Sequence, residues 1–148
     1  TDHCPFHFHG QKDKGKDDFS KIPNGAPGIE NRLSLLYHHG VVQDRISLNR
    51  FVDVMSTAPA KIFGLFPRKG TIAVGSDADI VIFDPNQKQT ISAKTHRHRA
   101  DYSMFEGWEL KGSVKTVLVN GEISYHEGDL KVEKGKGNYL HRKPFSHL

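Results

Sequence analysis

The chain has 148 residues, 36% hydrophobic and 26% charged, with one cysteine and a formal net charge of +4. This is the composition of a soluble globular protein, and no apolar run approaches the roughly 20 residues that would cross a membrane. Residues 128–148 carry five basic and two acidic side chains and so supply most of the net charge, and such a short tail does not indicate nucleic-acid binding.

The first 28 residues are punctuated by proline and glycine and predict irregular structure. Within them, residues 22–28 contain two prolines, each of which fixes its own φ, so we expect a shaped loop there. The chain begins without an initiator methionine, which suggests a piece of a longer protein. The lone Cys4 cannot form an internal disulfide, and this favours a cytoplasmic setting.

Three helices follow in the predicted order. Apolar residues recur at helical spacing over 29–37, and Gly40 is a suitable stop. Ser47 can cap a second helix, because its hydroxyl can accept a free backbone N–H of the first turn. Pro59 suits the first turn of a third, short helix that ends near Gly64.

Beyond residue 65 the pattern is that of strands. Asn120-Gly121 is a strong signal for a two-residue hairpin, and the continuous apolar run 80–83 predicts a well-buried strand. Helices in the first half and antiparallel strands in the second indicate the end of one domain joined to part of a small β-sandwich. The predicted strands are 71–74, 79–84, a short one at 90–92, 114–119 and 122–126.

Two short segments near the start have metal-ligand residue types. In Asp2-His3-Cys4 the carboxylate could bind a divalent ion and take a proton from its water, although an Asp that caps a turn is the simpler interpretation of the pattern. His7-Phe8-His9 could place two imidazoles on one side of an extended backbone, but no third and fourth ligand lie nearby in the sequence. For Cys4 itself we expect a buried, inert thiol.

Other histidines favour structural interpretations. His38-His39 falls at a predicted helix end, where an imidazolium interacts well with the helix dipole. The segment His96-Arg97-His98-Arg99 is typical of a solvated loop.

Taken together, the motifs resemble the carboxyl-terminal third of the dihydropyrimidinase/hydantoinase family of cyclic amidohydrolases. The resemblance covers nearly the whole chain, and its strength lies in several motifs that follow one another in the family's order. The motifs are Thr1-Asp2-His3-Cys4-Pro5-Phe6, Ile22-Pro23-Asn24-Gly25, Gly28-Ile29-Glu30-Asn31-Arg32, Pro59-Ala60-Lys61-Ile62-Phe63-Gly64-Leu65, Pro67-Arg68-Lys69-Gly70, Gly75-Ser76-Asp77-Ala78-Asp79 and Phe105-Glu106-Gly107.

The resemblance implies an α/β fold: residues 1–64 as the end of a (β/α)8 TIM barrel, 65–127 as β-sandwich strands and 128–148 as a basic tail. It implies two divalent metal ions, zinc by preference, with Asp2 as a metal ligand and general base. It also implies that backbone groups of Asn24 hold a cyclic ureide, which is opened to an N-carbamoyl amino acid. Family members are commonly tetramers, so the resemblance also implies a homotetramer.

The same resemblance leaves alternatives open. The family's other metal ligands have no counterpart in this chain, so we expect it not to catalyse alone. Collapsin response mediator proteins share the fold without the activity, but they lack the metal-binding acid and differ where Asn24 stands. A third hypothesis is that the chain is itself an interaction module. Such a module would expose apolar faces around Leu33, Leu36, Phe51 and Met55.

Overall fold

A computed structural model describes residues 2–145 of the chain. Helices occupy the first half and one antiparallel sheet the second, as the sequence predicts. Among the described residues, no helix is long and apolar enough to span a membrane. The helices are α1 Arg32–Leu36, α2 Leu48–Val52 and α3 Ala58–Ile62, with π-helical segments Tyr37–Val42 and Asp53–Thr57 and 3-10 turns Lys12–Gly15 and Phe19–Lys21.

The predicted second and third helices form one continuous helical run. The π-helical segment Asp53–Thr57 joins α2 directly to α3, so the run extends from Leu48 to Ile62. The Ser47 side chain accepts the backbone N–H of Arg50 at 3.1 Å, which confirms the predicted cap. Pro59 lies in the first turn of α3, where its missing N–H leaves no hydrogen bond unmade.

The sheet has four strands in the order β1-β2-β3-β4: Ile80–Thr90, Glu109–Val119, Glu122–His126 and Asp129–Leu130. Asn120 and Gly121 both have positive φ, 52° and 82°, as a type I′ hairpin turn requires. The segments 79–84 and 90–92 were predicted as separate strands, but the single strand β1 covers 80–84 and ends at Thr90, so residues 91 and 92 are not in a strand. The Asp84 carboxylate accepts the N–H of Asn86 at 2.8 Å, and the register shifts between Asp84 and Lys88.

One strand prediction and one burial prediction are wrong for physical reasons. Residues 71–74 are irregular instead of a strand, and no strand among residues 2–145 pairs with them to complete a hydrogen-bond ladder. The run 80–83 is a strand but is not well buried, since Val81 and Ile82 are each 49% exposed. The helices pack on the sheet without covering both sides of this strand.

The core is an aromatic cluster between helices and sheet. The ring of Tyr37 lies 4.9 Å from that of Phe83 and 5.7 Å from that of Phe51. Phe51 is only 6% exposed, so it does not lie on the exposed apolar face that the interaction-module alternative requires. Gly112 of β2 faces this cluster with φ +101°, and a Cβ there would lie 2.3 Å from Tyr37 Cδ1.

Charged pairs fasten the loop between α3 and β1. The carboxylate of Asp77 accepts from Arg68 Nε at 2.9 Å and lies 2.9 Å from Lys69 Nζ. Lys69 also pairs with Asp79, whose other oxygen accepts the N–H of Asn120 at 2.8 Å in the hairpin turn. The Gly-Ser-Asp-Ala-Asp motif therefore holds the loop against the β2–β3 turn.

The basic tail returns to the helices. The backbone N–H of Lys143 donates to the carbonyl of Gly64 at 2.9 Å, just beyond the end of α3. A Cβ on Gly64 would lie 1.8 Å from the Lys143 carbonyl oxygen, and the φ of Gly64 is +67°. The tail is thus tied to the helical end of this same chain.

Candidate active site

A short parallel contact brings the segments of the two predicted site residues together. His3 forms a parallel bridge with Ala26, and the N–H of Cys4 donates to the Ala26 carbonyl at 3.4 Å. Because the two segments run in the same direction, the residues that precede the bridge on each segment lie at the same end of it. Asp2 and Asn24 are those residues, and both are exposed.

Asp2 lies at the edge of a wide, largely apolar groove of about 830 Å³. Its φ is +49°, an uncommon conformation for a residue other than glycine. Asn24 does not line this groove, although its neighbour Gly25 does. Six of the lining residues are Asp2, Gly25, Ile29, Arg32, His39 and Trp108.

The loop 22–28 is held in one shape, as its prolines predicted. Pro27 is fully buried, and the Pro23 carbonyl accepts from Lys12 Nζ at 2.8 Å. Gly25 has φ +109°, and a Cβ there would lie 2.3 Å from the Cβ of Cys4. The loop therefore approaches the Asp2 segment more closely than a side chain at position 25 would permit.

His3 makes the connection that the sequence did not reveal. Its Nδ1 accepts the backbone N–H of Gly28 at 3.2 Å and that of Ile29 at 3.4 Å. Its ring also meets the ring of His98 edge to face at a centroid distance of 5.7 Å. The one sequence signal was the position of His3 next to Asp2.

Cys4 is exposed, so the expectation of a buried thiol is wrong. The backbone of Cys4 is bound to Ala26, and its Cβ and Sγ both lie against Gly25, where an added Cβ would be 2.3 and 3.0 Å from them. Among residues 2–145, no histidine, cysteine and carboxylate cluster includes Cys4 as a metal ligand.

His7-Phe8-His9 forms a turn tied to the sheet half of the chain. The Asp101 carboxylate accepts the backbone N–H of Phe8 at 2.6 Å and of His9 at 3.1 Å, and lies 3.7 Å from His7 Nδ1. These backbone bonds hold the pKa of Asp101 below its ordinary value. The part of the chain that the structure describes contains no group of three or more potential ligands able to hold a metal ion.

The segment His96-Arg97-His98-Arg99 is only partly solvated, which corrects the prediction of a solvated loop. The Glu30 carboxylate accepts the N–H of Arg97 at 2.8 Å and so holds the segment. His96 and His98 are half-buried, with ring centroids 4.1 Å apart. Burial lowers the pKa of His98, and the nearby His96 adds to this shift.

His38 is likewise not at a free helix end. It lies in the π-helical segment Tyr37–Val42, and its Nδ1 accepts the backbone N–H of Lys111 in β2 at 2.9 Å. His39 instead packs its ring against Trp108, at a centroid distance of 5.5 Å. The two imidazoles join the helices to the sheet.

The Asp2 carboxylate is chemically suited to a divalent metal ion. It is exposed at the groove, and no hydrogen bond or ion pair to another residue of 2–145 occupies it. A carboxylate oxygen is a ligand that zinc accepts, usually together with two or three others. Residues 2–145 do not supply those others, so Asp2 fits as one ligand of a site completed by other groups.

Known proteins match the chain over all or nearly all of its length. A model of the amidohydrolase family matches residues 1–124. The chain belongs to the amidohydrolase family. The D-hydantoinase of Streptomyces coelicolor is 50% identical over 148 residues, which are all of this chain and 32% of that protein.

Solved structures give the same result for the fold. A D-hydantoinase from Bacillus sp. AR9 is 56% identical with a TM-score of 0.95, over 99% of this chain and 32% of its own. A dihydropyrimidinase from Brevibacillus agri is 51% identical with a TM-score of 0.96, over 100% of this chain and 32% of its own. The chain thus spans about a third of the length of the relatives it matches.

Proposed function

We propose that this chain is part of a cyclic amidohydrolase that opens the ring amide of 5-substituted hydantoins or dihydropyrimidines to give N-carbamoyl amino acids. The observation that carries this proposal is the placement of Asp2 and Asn24 at the same end of one parallel contact. About half of the residues are identical to those of named hydantoinases, and this sequence identity supports the substrate class.

The proposed architecture follows from the same likeness. Residues 1–64 complete a (β/α)8 barrel, 65–127 contribute strands to a β-sandwich, and 128–148 form the tail. Barrel enzymes place their catalytic groups at the carboxyl ends of the strands. In this proposal Asp2 stands at the carboxyl end of one barrel strand. The remaining barrel elements come from chain outside these residues.

In the proposed mechanism Asp2 is both a metal ligand and the general base. When bound, two divalent ions, zinc by preference, polarise the ring carbonyl and lower the pKa of the attacking water. The Asp2 carboxylate accepts a proton from that water and later returns it to the leaving ring nitrogen. Exposure at the groove leaves both oxygens of Asp2 free of other residues of 2–145 for this work.

Asn24 is proposed to orient the substrate through its backbone groups. The amide of a cyclic ureide offers one donor and one acceptor side by side, and a peptide backbone offers the complementary pair. Since the loop 22–28 is fixed by Pro27 and by the close approach of Gly25 to Cys4, these groups are held in place before substrate arrives.

We further propose a cytoplasmic homotetramer with no nucleic-acid or membrane partner. The free, exposed Cys4 is compatible with a reducing compartment. The many exposed apolar side chains of this chain, Ile29, Phe63 and Trp108 among them, are suited to contact with the rest of the protein and with other subunits.

A hybrid enzyme tests the proposal. In it, this chain replaces the 148 aligned residues of the Streptomyces coelicolor D-hydantoinase. We expect the purified hybrid to bind divalent metal and to hydrolyse hydantoin or dihydrouracil. Metal analysis measures the binding, and loss of ring absorbance measures the hydrolysis. A folded, metal-loaded hybrid without turnover of either substrate would favour the non-catalytic alternative.

A further inference from the structure

His3 occupies a position between the two halves of the proposed site. It follows Asp2 directly, yet its own side chain does not line the groove. It turns toward the loop, where Nδ1 accepts the N–H groups of Gly28 and Ile29, 25 and 26 positions further along the chain. One imidazole nitrogen thereby joins the segment of the metal ligand to the end of the substrate loop.

The two hydrogen bonds to His3 determine which chemical group its side chain must provide. Gly28 and Ile29 lead into α1, and their N–H groups point outward from a loop without strand partners at this point. A nitrogen that accepts cannot carry the proton, so Nδ1 is the unprotonated nitrogen of His3. Nδ1 is the side-chain acceptor that the structure gives to both donors.

The other links between loop and strand are independent of this side chain. The N–H of Cys4 donates to Ala26, and the missing side chain of Gly25 admits the close approach to Cys4. These two contacts fix the middle of the loop. The His3 bonds fix its far end, beyond the buried Pro27.

We propose that His3 is a positioning residue that sets the place of the Asn24 loop relative to Asp2. This inference rests on the proposed function, in which Asn24 binds substrate and Asp2 binds metal. Reacting groups tolerate little displacement, since an error of about 1 Å can cost about a hundredfold in rate. His3 acts through the backbone of the loop and does not touch substrate.

The test compares two substitutions of nearly the same shape in the hybrid enzyme. His3→Asn places an amide oxygen near the position of Nδ1, whereas His3→Leu fills the same space without an acceptor. Both remove the outer part of the ring that meets His98, so a purely packing role would make the two variants equal. The measurements are kcat, KM, metal content and deuterium exchange of the Gly28 and Ile29 amides.

We expect His3→Leu to raise KM about tenfold and to affect kcat less. A tenfold change corresponds to the net free energy of about one hydrogen bond. His3→Asn should restore KM to within about threefold of the parent hybrid, and metal content should be unchanged in both. Faster exchange of the Gly28 and Ile29 amides should appear in the Leu variant alone. Equal defects in both variants, or loss of metal as the primary defect, would overturn the proposal.

The two proposals can fail separately. If the parent hybrid is inactive, the proposed function fails, and the exchange experiment still tests whether the His3 acceptor holds the loop. If the parent is active and the variants do not differ in KM and exchange, the proposed function stands and the role of His3 is wrong.

Discussion

The Asp101 carboxylate accepts the backbone N–H of Phe8 at 2.6 Å, across 93 positions of the chain. Its second oxygen accepts the N–H of His9. The turn that follows the proposed metal-ligand segment is therefore held by the sheet half of the molecule. Asp101 is thus one of the side chains that join the sheet half to the candidate active site, with Glu30 and His98.

Asp101→Asn should loosen the turn. An amide keeps one acceptor oxygen, and its NH2 group would face a second backbone donor, which is unfavourable. We expect deuterium exchange of the Phe8 and His9 amides to accelerate in the hybrid carrying this substitution. Asp17→Asn, at an exposed position, removes the same charge and serves as the control. Equal exchange in the two variants would contradict the anchoring role.

The same carboxylate predicts a dependence on pH. Its pKa is lowered in the folded chain, chiefly by the bond from the Phe8 N–H. A carboxyl whose folded pKa lies below its ordinary value of 3.8 adds stability that is complete above that value and is lost as pH falls through the folded value. The difference in thermal midpoint between the hybrid and its Asp101→Asn variant should therefore shrink as pH falls from 7 to 3. A constant difference would indicate another cause.

Gly112→Ala should destabilise the core. The new methyl would meet Tyr37 and Phe83 at 2.3 and 2.7 Å and would also demand φ +101° of a residue with a Cβ. We expect a cost of about 2–4 kcal/mol, seen as a lower thermal midpoint of the hybrid. Gly75→Ala is the matched control, because its φ is +90° and nothing lies within 4 Å of the added atom. It should cost about 1–2 kcal/mol, and a control as damaging as Gly112→Ala would argue against the packing explanation.

Asp2→Ala should abolish turnover and reduce metal content while leaving the fold intact. Asp2 is exposed and lies outside the aromatic core, so its loss removes no packing. We expect an unchanged thermal midpoint in metal-free hybrid and at least a hundredfold loss of kcat, as for removal of a general base. Near-normal activity and metal content would refute the assigned role.

Local patterns predicted the elements that depend on local chemistry. The Ser47 cap, Pro59 in the first turn of α3 and the Asn120-Gly121 turn each follow from the residue's own hydrogen bonds or φ, and all three are confirmed. The strand at 71–74 was wrong, because its residues have the composition of a strand but no partner among residues 2–145.

In the candidate site, too, features that depend on distant partners could not be predicted from local patterns. Asp2 and Asn24 were predicted through a resemblance, and their catalytic and binding roles remain predictions. The linking roles of His3, Glu30 and Asp101 were not predicted, because each acts on backbone groups far away in sequence. No periodicity or local motif records such a pairing.

The bond between Lys143 and Gly64 has a consequence for sequence variation. Position 64 is restricted twice, once by its left-handed φ and once by the carbonyl of the tail, which leaves no room for a Cβ. Asparagine often replaces glycine at such a helix end, where only the φ matters. In this protein asparagine could replace Gly64 only if the tail around Lys143 had moved away. Position 64 and the tail should therefore change together over evolution or not at all.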